Sequence, residues 1–338
     1  MKKRILYLDV IRILACVMII VIHAPIPNTN INGNILSTDS LLNITGVGLF
    51  LMVSGSLLLP VNMPTMQFVK KRLGKIFAPT VFWTAFYMIV RLYCGDIEKS
   101  GLIKSVISIP FTPQFNGVLW YMYTLIGLYL LAPVISPWLL KASKNDVVFY
   151  LIIWGISMCY PLIREIVNVD ESYTGILYYF SGYIGYFLLG YYLKTYVDKM
   201  SKWVCLLFLI IPISVAVFLK INKISIVFFD LYGFFSIFVA MMACAWFMFL
   251  KNIVWQYNEH SRLHKFIVIT SNNFFGIYLL HIFIMRSILW KIPIICRIDG
   301  ILQILVVSIL TFIISFIITW LISYLPYSEY IIGYRNKK

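Results

Sequence analysis

Apolar residues run along this chain in long blocks separated by short polar connections, and they fill every face of a helical wheel rather than one stripe. The blocks predict membrane spans at approximately 5–24, 41–60, 76–95, 117–140, 147–164, 175–193, 203–219, 229–250, 266–290 and 301–325. Most approach the roughly 20 residues that an α-helix needs to cross a hydrocarbon core. No block alternates with a period of two, as a barrel strand must, and hydrocarbon leaves the helix as the remaining way to pair the backbone. The predicted fold is an all-α, polytopic integral membrane bundle of about ten transmembrane helices.

Composition sharpens that reading. Hydrophobic residues make up 61% of the chain and charged ones 12%, with a mean hydropathy of +0.89, whereas soluble domains hold about 45–50% and 25%. A soluble fold is excluded. The longest polar connections, around 25–40, 96–116 and 251–265, are short and carry no Gly/Ser or Pro-rich linker, so one transmembrane domain over 1–338 with no fused soluble domain is expected. Helices 1–5 do not visibly echo helices 6–10, which weakens an inverted-repeat transporter. Lys2, Lys3 and Arg4 ahead of an apolar run resemble a signal peptide, but Asp9 and Arg12 interrupt the run, so an uncleaved first span is expected.

The net charge of +15 is spread over the connections and comes with no nucleic-acid recognition module, so it fits topogenesis and anionic lipid headgroups and not nucleic acid. With both termini and the connections after helices 2, 4, 6 and 8 on one side, that side holds 18 of the 28 Lys and Arg. The positive-inside rule makes it cytoplasmic. Eight lie opposite, and Arg12 and Arg286 fall inside spans. Cys16, Cys94, Cys159, Cys205, Cys244 and Cys296 are dispersed without ligand-like spacing and read as small apolar packing residues, with no metal or disulfide role.

Ionisable groups inside a span cost about 2.5–3.5 kcal/mol each on insertion scales, so Asp9, Arg12, His23, His281 and Arg286 call for explanation. At about 100° per residue Arg12 and His23 fall within roughly 20° of one another on the first helix, with Asp9 about 60° away, and they sit roughly 16 Å apart along its axis. They must serve different steps or different ends of one substrate. Asp9 and Arg12 can pair, either as an interfacial ion pair or as part of a site. His23 is either an interfacial histidine or a general base, since neutral imidazole can take a proton from a hydroxyl that attacks an activated carbonyl. No nucleophile elbow accompanies it. Ser54 could be a nucleophile, although Gly55 beside it favours close helix packing.

Lys70, Lys71, Arg72 and Lys75 form a dense cluster after helix 2. Lipid attraction and topology account for such a cluster, and so does a clamp for the phosphates of coenzyme A at Lys71, Arg72 and Lys75. Ser271, Asn272 and Asn273, ahead of His281, either cap their helix or tie it to a neighbour. Trp120 and Tyr121 belong either to the interfacial aromatic belt or to a sugar-stacking surface.

Several separated motifs together resemble the acyltransferase-3 family of membrane O-acyltransferases. Tyr7-Leu8-Asp9-Val10-Ile11-Arg12 with His23 is similar to its opening motif, an Arg or Lys separated from a His by ten residues. Further similar segments are Gly48–Gly55, Lys71–Pro79, Leu119–Tyr123, Gly185–Gly190 and Phe275–His281, which together span nearly the whole chain. Many members carry two arginines three apart after helix 2, where this chain has Arg72 and Lys75; lysine keeps the charge but loses the bidentate fork.

The resemblance implies transfer of an acyl group, usually acetyl, from cytoplasmic acetyl-CoA to a hydroxyl of a cell-envelope or exported glycan, with His23 and Arg12 essential. Asp9 would orient Arg12, while Lys71, Arg72 and Lys75 would hold the donor. Ser54, Trp120 and His281 would support substrate, and no metal is implied. The chain resembles the stand-alone branch, which lacks a fused extracytoplasmic domain, so transfer would finish in the bundle or on a separate extracytoplasmic transferase. Expected partners are acyl-CoA, a glycan or lipid-linked sugar acceptor and membrane lipids, in the inner (plasma) membrane of a bacterium. The rivals are a transporter or flippase for a lipid-linked sugar, and a sensor without turnover.

Overall fold

The computed structural model describes residues 4–27, 39–95, 102–108, 111, 119–167, 175, 177–222, 232–253 and 261–336. Lys2, Lys3, Lys99, Lys223, Lys337 and Lys338, six of the cations used to orient the chain, lie outside them, as do residues 117–118, 176 and 229–231 in the openings of the fourth, sixth and eighth predicted spans.

Regular structure among the described residues is helical throughout. The principal helices are α1 (Leu6–His23), α2 (Thr45–Leu58), α3 (Thr65–Arg72), α4 (Gly74–Tyr93), α5 (Trp120–Lys141), α6 (Lys144–Ser157), α7 (Ile184–Tyr196), α8 (Lys202–Ile221), α9 (Ile237–Asn252), α10 (Arg262–Ile282), α11 (Gly300–Ile322) and α12 (Glu329–Ile332). Eight helical stretches among the described residues are long and apolar enough to cross a membrane. The remaining two predicted spans, 175–193 and 229–250, correspond to the shorter α7 and α9. A 3-10 turn at Tyr178–Phe180 and Gly182, whose φ of 99° suits a residue without Cβ, precede α7. Ser236 starts α9 by accepting a hydrogen bond from the Phe238 N–H.

Helix α11 shows the lipid setting most directly. Its buried side carries Gln303, Ser308, Thr311, Ser315 and Thr319, while Ile301, Leu305, Ile309, Ile313 and Ile317 are exposed. Polar inside and apolar outside inverts a soluble helix, and it is stable only where the surroundings are as apolar as the side chains.

Helix α1 is central, packed by α2, α9, α10 and α11. It runs parallel to α10, because Asp9 meets Ser271, Arg12 meets Phe274 and His23 meets His281. It runs antiparallel to α11, whose Gln303 near the start accepts from the Ile26 N–H just beyond the end of α1. Helices α2 and α7 touch backbone to backbone. A Cβ on Gly55 would overlap the backbone of Phe187, and one on Gly190 would overlap that of Met52, so glycine allows the approach that lets Ser56 donate to the Gly190 carbonyl at 2.7 Å. This confirms the packing role expected for Gly55.

Helix α10 continues into a π-helical turn at Phe283–Ile288. Tyr87 of α4 bridges the junction: its hydroxyl donates to the Leu279 carbonyl at 2.8 Å and accepts from the Phe283 N–H at 3.2 Å. A neighbouring side chain thereby serves backbone groups at the change of helix type, on either side of His281.

Candidate active site

Asp9 is 3% exposed, and its carboxylate is the hub at the first end of α1. It accepts from Arg4 Nε at 2.5 Å and Nη2 at 3.1 Å, from Arg12 Nη1 at 3.3 Å and from Ser271 Oγ at 2.7 Å. A buried carboxylate is tolerable only with such compensation. The expected Asp9–Arg12 pair is present, but Arg4 makes the shorter contacts. Arg4 also donates to Asn272 Oδ1 at 3.0 Å, so Ser271 and Asn272 tie α10 to α1, as one of the two readings of that polar run held. The role of Arg4 was hidden in the sequence, where it looked like one more topogenic cation.

The Arg12 guanidinium lies 5.3 Å from the Phe274 ring centroid, a cation–π distance. Among the described residues Asp9 is its sole hydrogen-bond acceptor. Arg12 faces a cavity of about 260 Å³ whose wall includes Ser54, Arg72, Lys75, Tyr129, Asn272 and Tyr334. Among the described residues three cations and no carboxylate line it. Lys71 is exposed and outside this wall; consecutive residues on α3 point about 100° apart, so Arg72 and Lys71 cannot share one direction. Gly333 and Tyr334, from the segment after α12, complete the wall. That segment is held by the Trp83 Nε1–H donating to the Ile331 carbonyl at 2.8 Å and by Tyr334, whose hydroxyl accepts from Asn272 Nδ2 at 3.4 Å. No motif in the sequence marks this return of the chain.

His23 lines a second cavity, of about 280 Å³, with Asn43, Trp120 and Phe234 in its wall. Trp120 stands 5.0 Å from the Phe234 ring and 5.3 Å from the Tyr183 ring, centroid to centroid. Trp120 thus belongs to a cavity wall and not to a lipid-facing belt. His23 and His281 stack, with ring centroids 5.8 Å apart and planes 24° from parallel. His281 is fully buried. Its Nδ1 meets the Tyr278 carbonyl, which places the proton on Nδ1 and leaves Nε2 as an acceptor, with no partner among the described residues. Arg286, with its guanidinium 5.4 Å from the Trp290 ring, is a charged neighbour of both imidazoles.

The arrangement is a membrane-embedded site with a cationic cavity at one end and a histidine pair at the other, the two joined by one face of α1. A family model described as an acyltransferase domain, Acyl_transf_3, matches residues 5–320. The chain belongs to that family and is a multi-pass membrane acyltransferase. No curated protein and no solved structure matches it.

Proposed function

We propose that the protein moves an acetyl or other short acyl group from cytoplasmic acyl-CoA to a hydroxyl of a cell-envelope or exported glycan. The observation that carries this reading is the cavity bounded by Arg12, Arg72 and Lys75, with no carboxylate in its wall among the described residues, set about 16 Å along α1 from His23. A polyphosphate donor suits the cations, because charge-assisted contacts to phosphate are strong where water is scarce. The length also fits. Between diphosphate and sulfur the donor has about a dozen chain bonds, and at the reach of an extended polypeptide, about 3.5 Å per three bonds, they span roughly 14 Å. Phosphates held at Arg12 therefore bring the thioester to His23.

His23 acts as general base. It takes the acceptor's hydroxyl proton as the oxygen bonds to the thioester carbon; the carbon–sulfur bond then breaks, and the proton passes to the departing thiolate. Arg12 is too far from this carbon to steady its developing charge and serves the donor's phosphates instead. His281, buried outside the cavity wall, backs the His23 ring it stacks on, and Trp120, in the wall, offers a ring on which a sugar can stack. The Lys/Arg asymmetry puts the cationic cavity on the cytoplasmic side, where acyl-CoA is made, and a bacterial inner membrane suits such a donor and an exported acceptor.

The test is transfer from labelled acetyl-CoA by purified protein in proteoliposomes supplied with candidate glycans. His23→Ala should lower kcat at least about 100-fold with the donor KM little changed, whereas Arg72→Gln should raise the donor KM about tenfold with kcat nearly intact. Undiminished transfer by His23→Ala removes the base from the scheme, and an unchanged KM in Arg72→Gln removes the clamp.

A further inference from the structure

Among the described residues the two cavities have two wall residues in common, Tyr121 and Tyr278. Tyr121 stands in the first turn of α5 and Tyr278 on α10, one turn before His281. Their ring centroids are 5.6 Å apart at 69°, edge-to-face rings in van der Waals contact. Phe50 of α2 backs both, 5.7 Å from Tyr121 and 6.3 Å from Tyr278. Both tyrosines are almost wholly buried. A chain reaching from Arg12 to His23 must pass where these rings now touch.

We infer that Tyr121 and Tyr278 form a closed aromatic aperture between the cationic and histidine cavities, which parts for the arm of the donor and limits the length of acyl chain that follows it. The inference rests on the donor reading for its substrate, although the barrier itself does not. Closed rings keep the cavities from becoming one water-filled path, which would waste the thioester and leak ions. Opening requires one ring to swing aside. Tyr121, near the start of its helix, has less of its own helix to obstruct it than Tyr278, whose carbonyl is engaged by His281. An acetyl group adds little to the width of the arm, whereas a longer acyl chain must be drawn through before its carbonyl reaches His23, and then needs space in a cavity of about 280 Å³ that the acceptor also occupies.

Two measurements decide the matter. In a variant with the six native cysteines replaced and Asn43→Cys placed in the His23 cavity, a membrane-impermeant maleimide is supplied to sealed vesicles from the Arg72 side. Labelling should be slow with both tyrosines present, at least tenfold faster in Tyr121→Ala, and unchanged in Tyr121→Phe, which keeps the ring. Equal labelling with and without the ring overturns the barrier. Where Tyr121→Ala fails to fold, Tyr121→Leu makes the same comparison. In proteoliposomes the ratio of acetyl to butyryl transfer should fall at least tenfold in Tyr121→Ala, and a constant ratio overturns the selection of acyl length. Absence of any acyl transfer by the unaltered protein refutes the donor reading, and the labelling rates then decide the aperture by themselves.

Discussion

Replacing Asp9 by Asn keeps its shape and removes its charge, leaving Arg4 and Arg12 facing the same amide without a counterion. Breaking a fully buried pair costs about 3–5 kcal/mol. The Arg4 side chain is 38% exposed and that of Arg12 24%, so solvent screens part of the loss and about 2–3 kcal/mol is expected. For a chain of this size that corresponds to a fall in Tm of roughly 3–4 °C, read by thermal unfolding in detergent. Two further consequences follow from the hub geometry. The Arg4→Gln, Asp9→Asn double variant should be less destabilised than the sum of the two singles, because the first change removes one of the two cations that the second leaves unpaired; a coupling of about 1 kcal/mol is expected. The donor KM of Asp9→Asn should rise several-fold as Arg12 loses its anchor. A Tm within 1 °C of the parent together with an unchanged KM would refute the hub.

Gly55→Ala should unfold or strongly destabilise the bundle, by more than about 3 kcal/mol, because the new methyl meets the Phe187 backbone rather than a side chain that can yield; fluorescence-detected size exclusion will show it as loss of the monodisperse peak. Tyr87→Phe removes the hydroxyl that serves the Leu279 carbonyl and the Phe283 N–H, at about 1–3 kcal/mol, and should lower kcat more than it changes the donor KM because those groups bracket His281; equal kcat would detach the bulge from catalysis.

The working face of α1 was legible because helical geometry alone relates Asp9, Arg12 and His23. Its partners were not. Arg4 sits among topogenic charges, and Ser271 joins Asp9 across 262 positions of sequence, a contact that depends on α10 packing parallel to α1. His281 was visible as a costly polar residue in a span, yet nothing local to it indicates that it stacks on His23. The short α7 and α9 have a similar cause: hydropathy averages over about 19 residues and passes smoothly through a turn such as that at Gly182. The cavity wall at Gly333 and Tyr334 comes from a polar segment that returns to the bundle, held by single hydrogen bonds with no periodic signature.

The central claim is that one donor molecule spans both cavities. A cryo-EM structure with a non-transferable thioether analogue of acetyl-CoA tests it most directly. The account predicts the phosphates within hydrogen-bond reach of Arg12, Arg72 or Lys75, the Tyr121 and Tyr278 rings parted around the arm, and the sulfur within about 4–5 Å of the His23 ring, close to the near-attack distance once an acceptor hydroxyl lies between. An analogue whose sulfur stays on the Arg12 side of closed rings, or whose phosphates lie away from these cations, would contradict it.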